Sequence, residues 1–258
     1  MERGNWLIKY HGLPITPATA AIQAVNGGHA LVSFRHQQQL GIAVDYCQSF
    51  CVDNGAFSAW KSGKPIEDWS PYYSWVEDVM KYPGFDFAII PDIIEGSEED
   101  NRALIEQWPF SRNIGAPVWH MYESLYHLSW LVNNFPRVCI GSSGEYRQVG
   151  SKLWWERIAQ AMIICCDKDG RTKTKLHGLR MLSPKIYTKI PLASADSCNI
   201  AMNIGIDKAW KGTYTPPTKE ARAQVMRARI EAFNSPPAFD FDDSTVAVVK
   251  QQSLFDFF

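Results

Sequence analysis

No stretch of the chain approaches the ~18–20 consecutive apolar residues that a membrane-spanning helix needs. The opening residues, Met1-Glu2-Arg3-Gly4-Asn5-Trp6, lack the apolar core of a secretory leader. Together these absences give the expectation of a cytoplasmic protein with no membrane partner. Cysteine is sparse: Cys47, Cys51, Cys139, Cys165, Cys166 and Cys198 form no CxxC pair. Cys47 and Cys51 lack a second half that would complete a metal site, so no zinc ribbon and no bound metal are expected. Several lie in apolar surroundings, as in Ile164-Cys165-Cys166, which reads as structural thiols in a reducing compartment. No Gly-rich dinucleotide or phosphate-loop fingerprint is present, so no cofactor is expected. Net charge is nearly absent as well, at −1, which argues at first sight against a nucleic-acid partner.

What is present excludes disorder: 46% of residues are hydrophobic and 13% aromatic. A chain of 258 residues suffices for one barrel-sized domain. Strands are expected at 6–10, 30–34, 49–53, 85–91, 117–121, 137–140, 176–181 and 193–200. Several are continuous apolar runs, the pattern of strands buried on both faces. Helical periodicity fills segments between them, at 68–80, 97–108, 124–133 and 151–165. Ser97-Glu98-Glu99-Asp100 puts acids where a helix dipole favours them. Strand–helix alternation through most of a chain means a parallel sheet. About eight strands favour a closed (β/α)8 TIM-like barrel over a doubly wound open sheet. The expected organisation is a barrel over 1–214, a helix in 215–234 after Thr215-Pro216-Pro217, and a flexible acidic tail over 235–258.

The near-zero charge is a cancellation. Residues 1–146 carry 9 basic and 16 acidic groups, residues 147–230 carry 16 and 6, and residues 231–258 carry 1 and 5. Ten net positive charges in the middle segment are either a solvated face or a phosphate-binding one. Arg171, Lys173, Lys175 and Arg180 are the candidate phosphate contacts, with a salt bridge within the rim as the alternative for Arg180.

In a (β/α)8 barrel the chemistry sits at the C-terminal strand ends. Those positions hold Asp53, Asp92, His120, Gly141-Ser142-Ser143-Gly144-Glu145, Arg180 and Asp196. Taken singly, each could be a cap or a turn. Two carboxylates from distant strands, Asp53 and Asp196, suit displacement at an anomeric carbon: one attacks C1′ and the other moves protons. The small-residue loop at Gly141–Gly144 lets backbone approach a flat ligand closely. Trp60, Trp119 and Tyr146 are either stacking surfaces or core.

These segments carry a resemblance. Val52-Asp53-Asn54-Gly55-Ala56-Phe57 resembles the Asp-Ser-Gly-Gly-Phe segment of the tRNA-guanine transglycosylases. Ile140-Gly141-Ser142-Ser143-Gly144-Glu145 is similar to their Gly-Gly-x-x-x-Gly-Glu segment, somewhat shortened. His177-Gly178-Leu179-Arg180-Met181 and Ala193-Ser194-Ala195-Asp196-Ser197 fall, in order, where the family has a strand ending in a Gly-rich turn and then its nucleophile. The resemblance covers roughly residues 6–205 and is nearest to the DpdA-type DNA-guanine transglycosylases of phages and bacteria. It implies Asp196 as nucleophile and Asp53 as general acid/base. It also implies Asp92 as reader of the base edge, His120 where the family has a Gln contacting the base, and Gly141, Ser142 and Gly144 at the base. The partners implied are DNA and a free 7-deazaguanine base as co-substrate, in the host cytoplasm if phage-encoded. The three-Cys, one-His zinc cluster of the tRNA enzymes has no counterpart in this sequence.

The last eight residues, Gln251-Gln252-Ser253-Leu254-Phe255-Asp256-Phe257-Phe258, resemble a sliding-clamp-binding peptide. One helical turn would put Leu254, Phe257 and Phe258 on one face as a plug, with Gln251 beside it. The alternative is an aromatic tail folded back on its own barrel. The expected function is therefore clamp-recruited exchange of guanine in DNA for a 7-deazaguanine. The alternatives are tRNA base exchange, a DNA glycosylase, and a non-catalytic clamp-bound DNA-binding protein.

Overall fold

Apolar strands buried on both faces and capped amphipathic helices between them build a parallel barrel. The structure, a computed structural model, describes residues 7–205, 210 and 212–242. The strands are β1 (Ile8–Leu13), β2 (His29–Ser33), β3 (Ser49–Asp53), β4 (Phe85–Ile89), β5 (Gly115–Ala116), β6 (Val118–His120), β7 (Arg137–Gly141), β8 (Lys175–Gly178) and β9 (Ser194–Ser197). Every paired neighbour is parallel, in the order β5-β4-β3-β2-β1-β9-β8-β7-β6. The two ends of that order are one stretch of chain, split by Pro117. Proline has no N–H to give to the ladder, but its carbonyl still accepts from the Cys139 N–H at 2.8 Å. The first half of the split strand pairs with β4 and the second with β7, which closes an eight-stranded TIM-like barrel.

Both faces of the strands are buried. Tyr10, Leu31, Cys51, Phe87, Ile89, Val118 and Cys139 fill the lumen. Val32, Val52, Ala88, Trp119, Val138, Ile140, Leu176 and Ala195 face the helices. At the N-terminal end of the lumen the Tyr10 hydroxyl donates to Asp86. Arg137 meets the same carboxylate at 3.1 Å and lies 4.0 Å over the Phe87 ring.

The helices are α1 (Ala18–Val25), α2 (Leu40–Tyr46), α3 (Ala56–Lys61), α4 (Ser70–Val79), α5 (Glu98–Glu106), α6 (Leu125–Asn134), α7 (Lys152–Cys165), α8 (Pro184–Tyr187), α9 (Asn199–Asn203) and α10 (Lys219–Glu231). The expected caps form: Ser97 and Asp100 make a capping box on α5, and Ser124 and Ser151 cap α6 and α7. Among the described residues no helix is long and apolar enough to cross a membrane.

Two boundaries differ from the sequence reading. The helix expected as a separate 215–234 segment is α10, and it packs on α1 as part of the outer ring. Arg227 donates to the Asn26 carbonyl at 2.6 Å, and Tyr187 donates to the Ile230 carbonyl. Burial works against the Glu231 charge, yet His11 and Arg227 bring its carboxyl down to about 2. The exterior of α10 is charged, and its small inner face of Ala223, Met226 and Ile230 is buried. Residues 235–242, expected as flexible tail, are docked too. Ser235 accepts the Leu192 N–H at 2.8 Å, and the Phe239 N–H reaches the Gly170 carbonyl at 2.8 Å. Gly170 sits at φ +77°, and a Cβ there would come 2.3 Å from the Phe239 oxygen, so the close approach requires glycine. The clamp-like residues Gln251, Leu254, Phe257 and Phe258 lie outside the described residues. Phe239 is 4% exposed, so Phe239→Ala is expected to lower stability by about 3 kcal/mol, read from the midpoint of urea unfolding. No change would show that this segment does not hold the barrel.

Candidate active site

Most strand ends deliver polar groups into a single cavity of about 700 Å³. Asp53, Asp92, His120, Gly141, Ser142, Gly144, Arg180 and Asp196 all line it. Nothing in their separation along the chain requires this; barrel closure does it.

Asp53 ends β3. Its Oδ2 accepts the Gly55 N–H at 3.1 Å, in a turn where Gly55 takes φ +81° before α3. Asn54 crosses to the next strand end: its Nδ2 donates to Asp92 Oδ1 at 2.7 Å and to the Ile90 carbonyl at 2.8 Å. Asp92 Oδ2 lies 3.0 Å from His120 Nε2, off the line of the ring N–H. On its other side His120 Nδ1 meets the Ser143 hydroxyl at 3.2 Å, and its ring stacks on Tyr122 at 5.5 Å. The His120 backbone N–H donates to Glu123 Oε2 at 2.9 Å. Asp196 ends the array. Its Oδ1 accepts the Arg180 backbone N–H at 3.0 Å and lies 3.4 Å from His177 Nε2. The other ring nitrogen of His177 meets the Ser194 hydroxyl at 2.8 Å.

Electrostatics separates these groups. Burial, with the charges of Asp92 and Asp196 adding to it, pushes the Asp53 carboxyl up to about 7 against the pull of the Ser33 hydroxyl and the Gly55 N–H. Burial also opposes charge on His120, but Asp92 and Glu123 outweigh it and the imidazole is raised. Glu123 is pushed up to about 7 by burial, with His120 and Asn101 opposing. The site thus contains a carboxyl that holds a proton near neutrality beside Asp196, which accepts a main-chain N–H. That is the division of labour general acid/base chemistry needs.

Some expected residues are elsewhere. Arg171, Lys173 and Lys175 lie before or at the start of β8, at the N-terminal end of the barrel and opposite the cavity. The Lys173 ammonium donates to the Ile164 carbonyl at 2.9 Å, satisfying the end of α7, and the Arg171 backbone is held in a turn by Asp167. A basic run in sequence therefore does not become a basic wall at this mouth. Arg180 does line the cavity, as an exposed residue whose guanidinium reaches across to the protein's own groups. It donates to the Ser142 carbonyl at 2.7 Å and covers the Phe57 ring at 4.3 Å. The Ser142 hydroxyl accepts from Trp154 Nε1 at 2.8 Å, facing away from a ligand. Trp119 is fully buried under α6 and Tyr146 packs with Arg157, whereas Trp60 lines the cavity at 41% exposure.

Ser33, His36, Ser143, Arg147 and Cys198 also line the cavity, Asn54 donates to Asp92, and His177 lies beside Asp196. The strand-end rule could have found Ser33, the last residue of β2. His177 carried no such signal, because it faces the lumen one layer below the rim. Among the described residues no group of three or more His, Cys, Asp or Glu is arranged to hold a metal ion.

The raised Asp53 carboxyl has a stability consequence. Well below about pH 4 the group is protonated in both folded and unfolded chains and has no effect. As pH rises towards about 7 the unfolded chain gains by ionising first, so the folded state loses stability. Asp53→Asn is expected to stabilise the protein by about 2 kcal/mol at pH 8, with partial exposure discounted, and to be neutral at about pH 3. Thermal unfolding at both pH values checks this; equal midpoints at pH 8 would contradict the raised carboxyl.

No family model matches the chain, and no curated protein matches it. In structure it is similar to a mutant tryptophan synthase α-subunit from the hyperthermophile Pyrococcus furiosus. The TM-score is 0.52 at 7% identity, over 90% of this chain and 100% of that one. At that identity the likeness shows the fold alone: the chain is a TIM barrel, an architecture common among enzymes.

Proposed function

We propose that the protein exchanges guanine in DNA for a 7-deazaguanine base through a covalent glycosyl-aspartate. The observation that carries this reading is the pairing, in one cavity, of Asp196, which accepts the Arg180 N–H, with Asp53, whose carboxyl is held up to about 7. A cavity of about 700 Å³ is in the range of small-molecule sites and admits a nucleoside taken out of the helix. Base chemistry on DNA requires such flipping, or a single strand.

In the first half-reaction an Asp196 oxygen forms a bond to C1′ as the bond from C1′ to the guanine nitrogen breaks. The bond's electron pair leaves on that nitrogen, which takes the proton from Asp53. In the second half the incoming base gives its ring N–H proton to the Asp53 carboxylate. Its nitrogen attacks C1′, and the ester bond breaks with its electron pair returning to Asp196. Two displacements at C1′ retain configuration. Asp92, with two lone pairs on each oxygen, can accept from the base edge while keeping Asn54. His120 and the Gly141–Gly144 turn form the rest of the base pocket. The choice of DNA over tRNA rests on the sequence resemblance to the DNA-acting relatives and on the clamp-like terminal peptide. Recruitment to a sliding clamp would raise local concentration without altering the site.

The test is incubation of DNA with a 7-deazaguanine base and the protein, followed by nucleoside mass spectrometry. Incorporation is expected, abolished by Asp196→Ala and slowed about 10²–10⁴-fold by Asp53→Asn. Incorporation into tRNA alone would move the substrate, release of guanine without a new base would make the protein a glycosylase, and no change in any nucleic acid would overturn the reading.

A further inference from the structure

Among the described residues, Arg180 is the one residue other than glycine at positive φ, at +59°. Side chains resist that conformation, and such outliers persist where the surroundings over-determine them. Here the conformation has a visible product: it turns the Arg180 N–H onto Asp196 Oδ1 at 3.0 Å. The same residue then spends its side chain across the cavity. Its guanidinium donates to the Ser142 carbonyl in the turn after β7, at 2.7 Å, and lies 4.3 Å over Phe57, on the helix that follows Asp53. Partial desolvation lowers the guanidinium's affinity for its proton, with the charge of Asp196 opposing, and it stays the cationic partner of both contacts.

We infer that Arg180 is a two-part positioning residue. Its main chain orients the Asp196 carboxylate, and its guanidinium fixes the distance between the base-binding turn and the wall beside Asp53. The inference rests on the base-exchange reading of this cavity and adds to it a separation of roles. The left-handed backbone serves the nucleophile, and so the rate of glycosyl transfer. The side chain serves the width of the pocket, and so affinity for the base. From the sequence, Arg180 is either a phosphate contact or a salt bridge within the rim; the side chain is exposed at the cavity, and one of its nitrogens is bonded to the protein's own Ser142 carbonyl.

Glycine separates the two parts, because it takes φ near +60° without resistance and keeps the N–H. Alanine keeps the N–H but resists the conformation, and lysine keeps charge without the planar fork. The experiment compares Arg180→Gly, Arg180→Ala and Arg180→Lys in the full chain by three readouts. These are the thermal midpoint, kcat and KM for the exchanged base, and calorimetric affinity for a free 7-deazaguanine. For Arg180→Gly the expected result is a midpoint within a few degrees of the parent. Base affinity should be weakened roughly tenfold or more, with KM rising more steeply than kcat falls. Arg180→Ala should show the same loss of affinity and a larger fall in kcat, and Arg180→Lys should not restore affinity.

A glycine variant indistinguishable from the parent would overturn the inference. So would variants whose kcat falls in proportion to their thermal midpoints with KM unchanged, since that is a merely structural role. If the parent binds the base without exchanging it and Arg180→Gly still weakens binding, the exchange reading fails while Arg180 keeps its place. If the parent neither binds nor exchanges, both fail.

Discussion

Three carboxylates, Asp53, Asp92 and Asp196, line one cavity at the mouth of a closed barrel. Like charges gathered out of bulk water repel, and the repulsion is relieved when one of them keeps its proton or when donors are built around the others. Both happen here. The Asp53 carboxyl is held up to about 7, with burial as the larger cause and its neighbours' charges as the smaller. Asp92 is supplied with the Asn54 amide and lies 3.0 Å from His120 Nε2, and Asp196 is supplied with the Arg180 N–H. The local structure of the rim, including a backbone conformation that arginine does not favour, follows from holding these groups in one place.

The barrel makes that concentration of charge possible because its stability is generated elsewhere. The apolar strands are buried on both faces, the lumen is plugged at its far end by Tyr10, Asp86 and Arg137, and α10 closes the outer ring against α1. Closure through the strand split at Pro117 brings β4 and β7 to either side of His120. Residues from distant parts of the sequence then share a rim without any local signal between them. This is why the strand-end positions, taken as a set, were informative although each alone was compatible with a turn.

The fold was legible because strands buried on both faces leave continuous apolar runs, and helices with polar outer faces leave caps. Ser97, Ser124 and Ser151 announced their helices. The short helices α2, α3, α8 and α9 gave no such signal, since elements of four to seven residues have too few turns for a period to register. The rim carboxylates were legible because each sits directly after an apolar strand. The phosphate contacts were not. Sequence charge reports how many cations a segment holds, and not which end of a strand they occupy. Arg171 and Lys173 precede β8 and Lys175 begins it, so they fall on the far face, while Arg180 follows it and bonds to the Ser142 carbonyl at the cavity. Asn54 and His177 act through neighbouring side chains, a relation that only the closed barrel creates.

The central claim is that Asp196 forms a bond to C1′ while Asp53 handles the proton. It is tested most directly by denaturing the protein during turnover on DNA and mapping any covalent adduct by peptide mass spectrometry. The account predicts a nucleic-acid adduct on the peptide containing Asp196, retained in Asp53→Asn at a slower rate of formation and absent in Asp196→Asn. An adduct on another residue, or turnover that proceeds with Asp196→Asn, would contradict it.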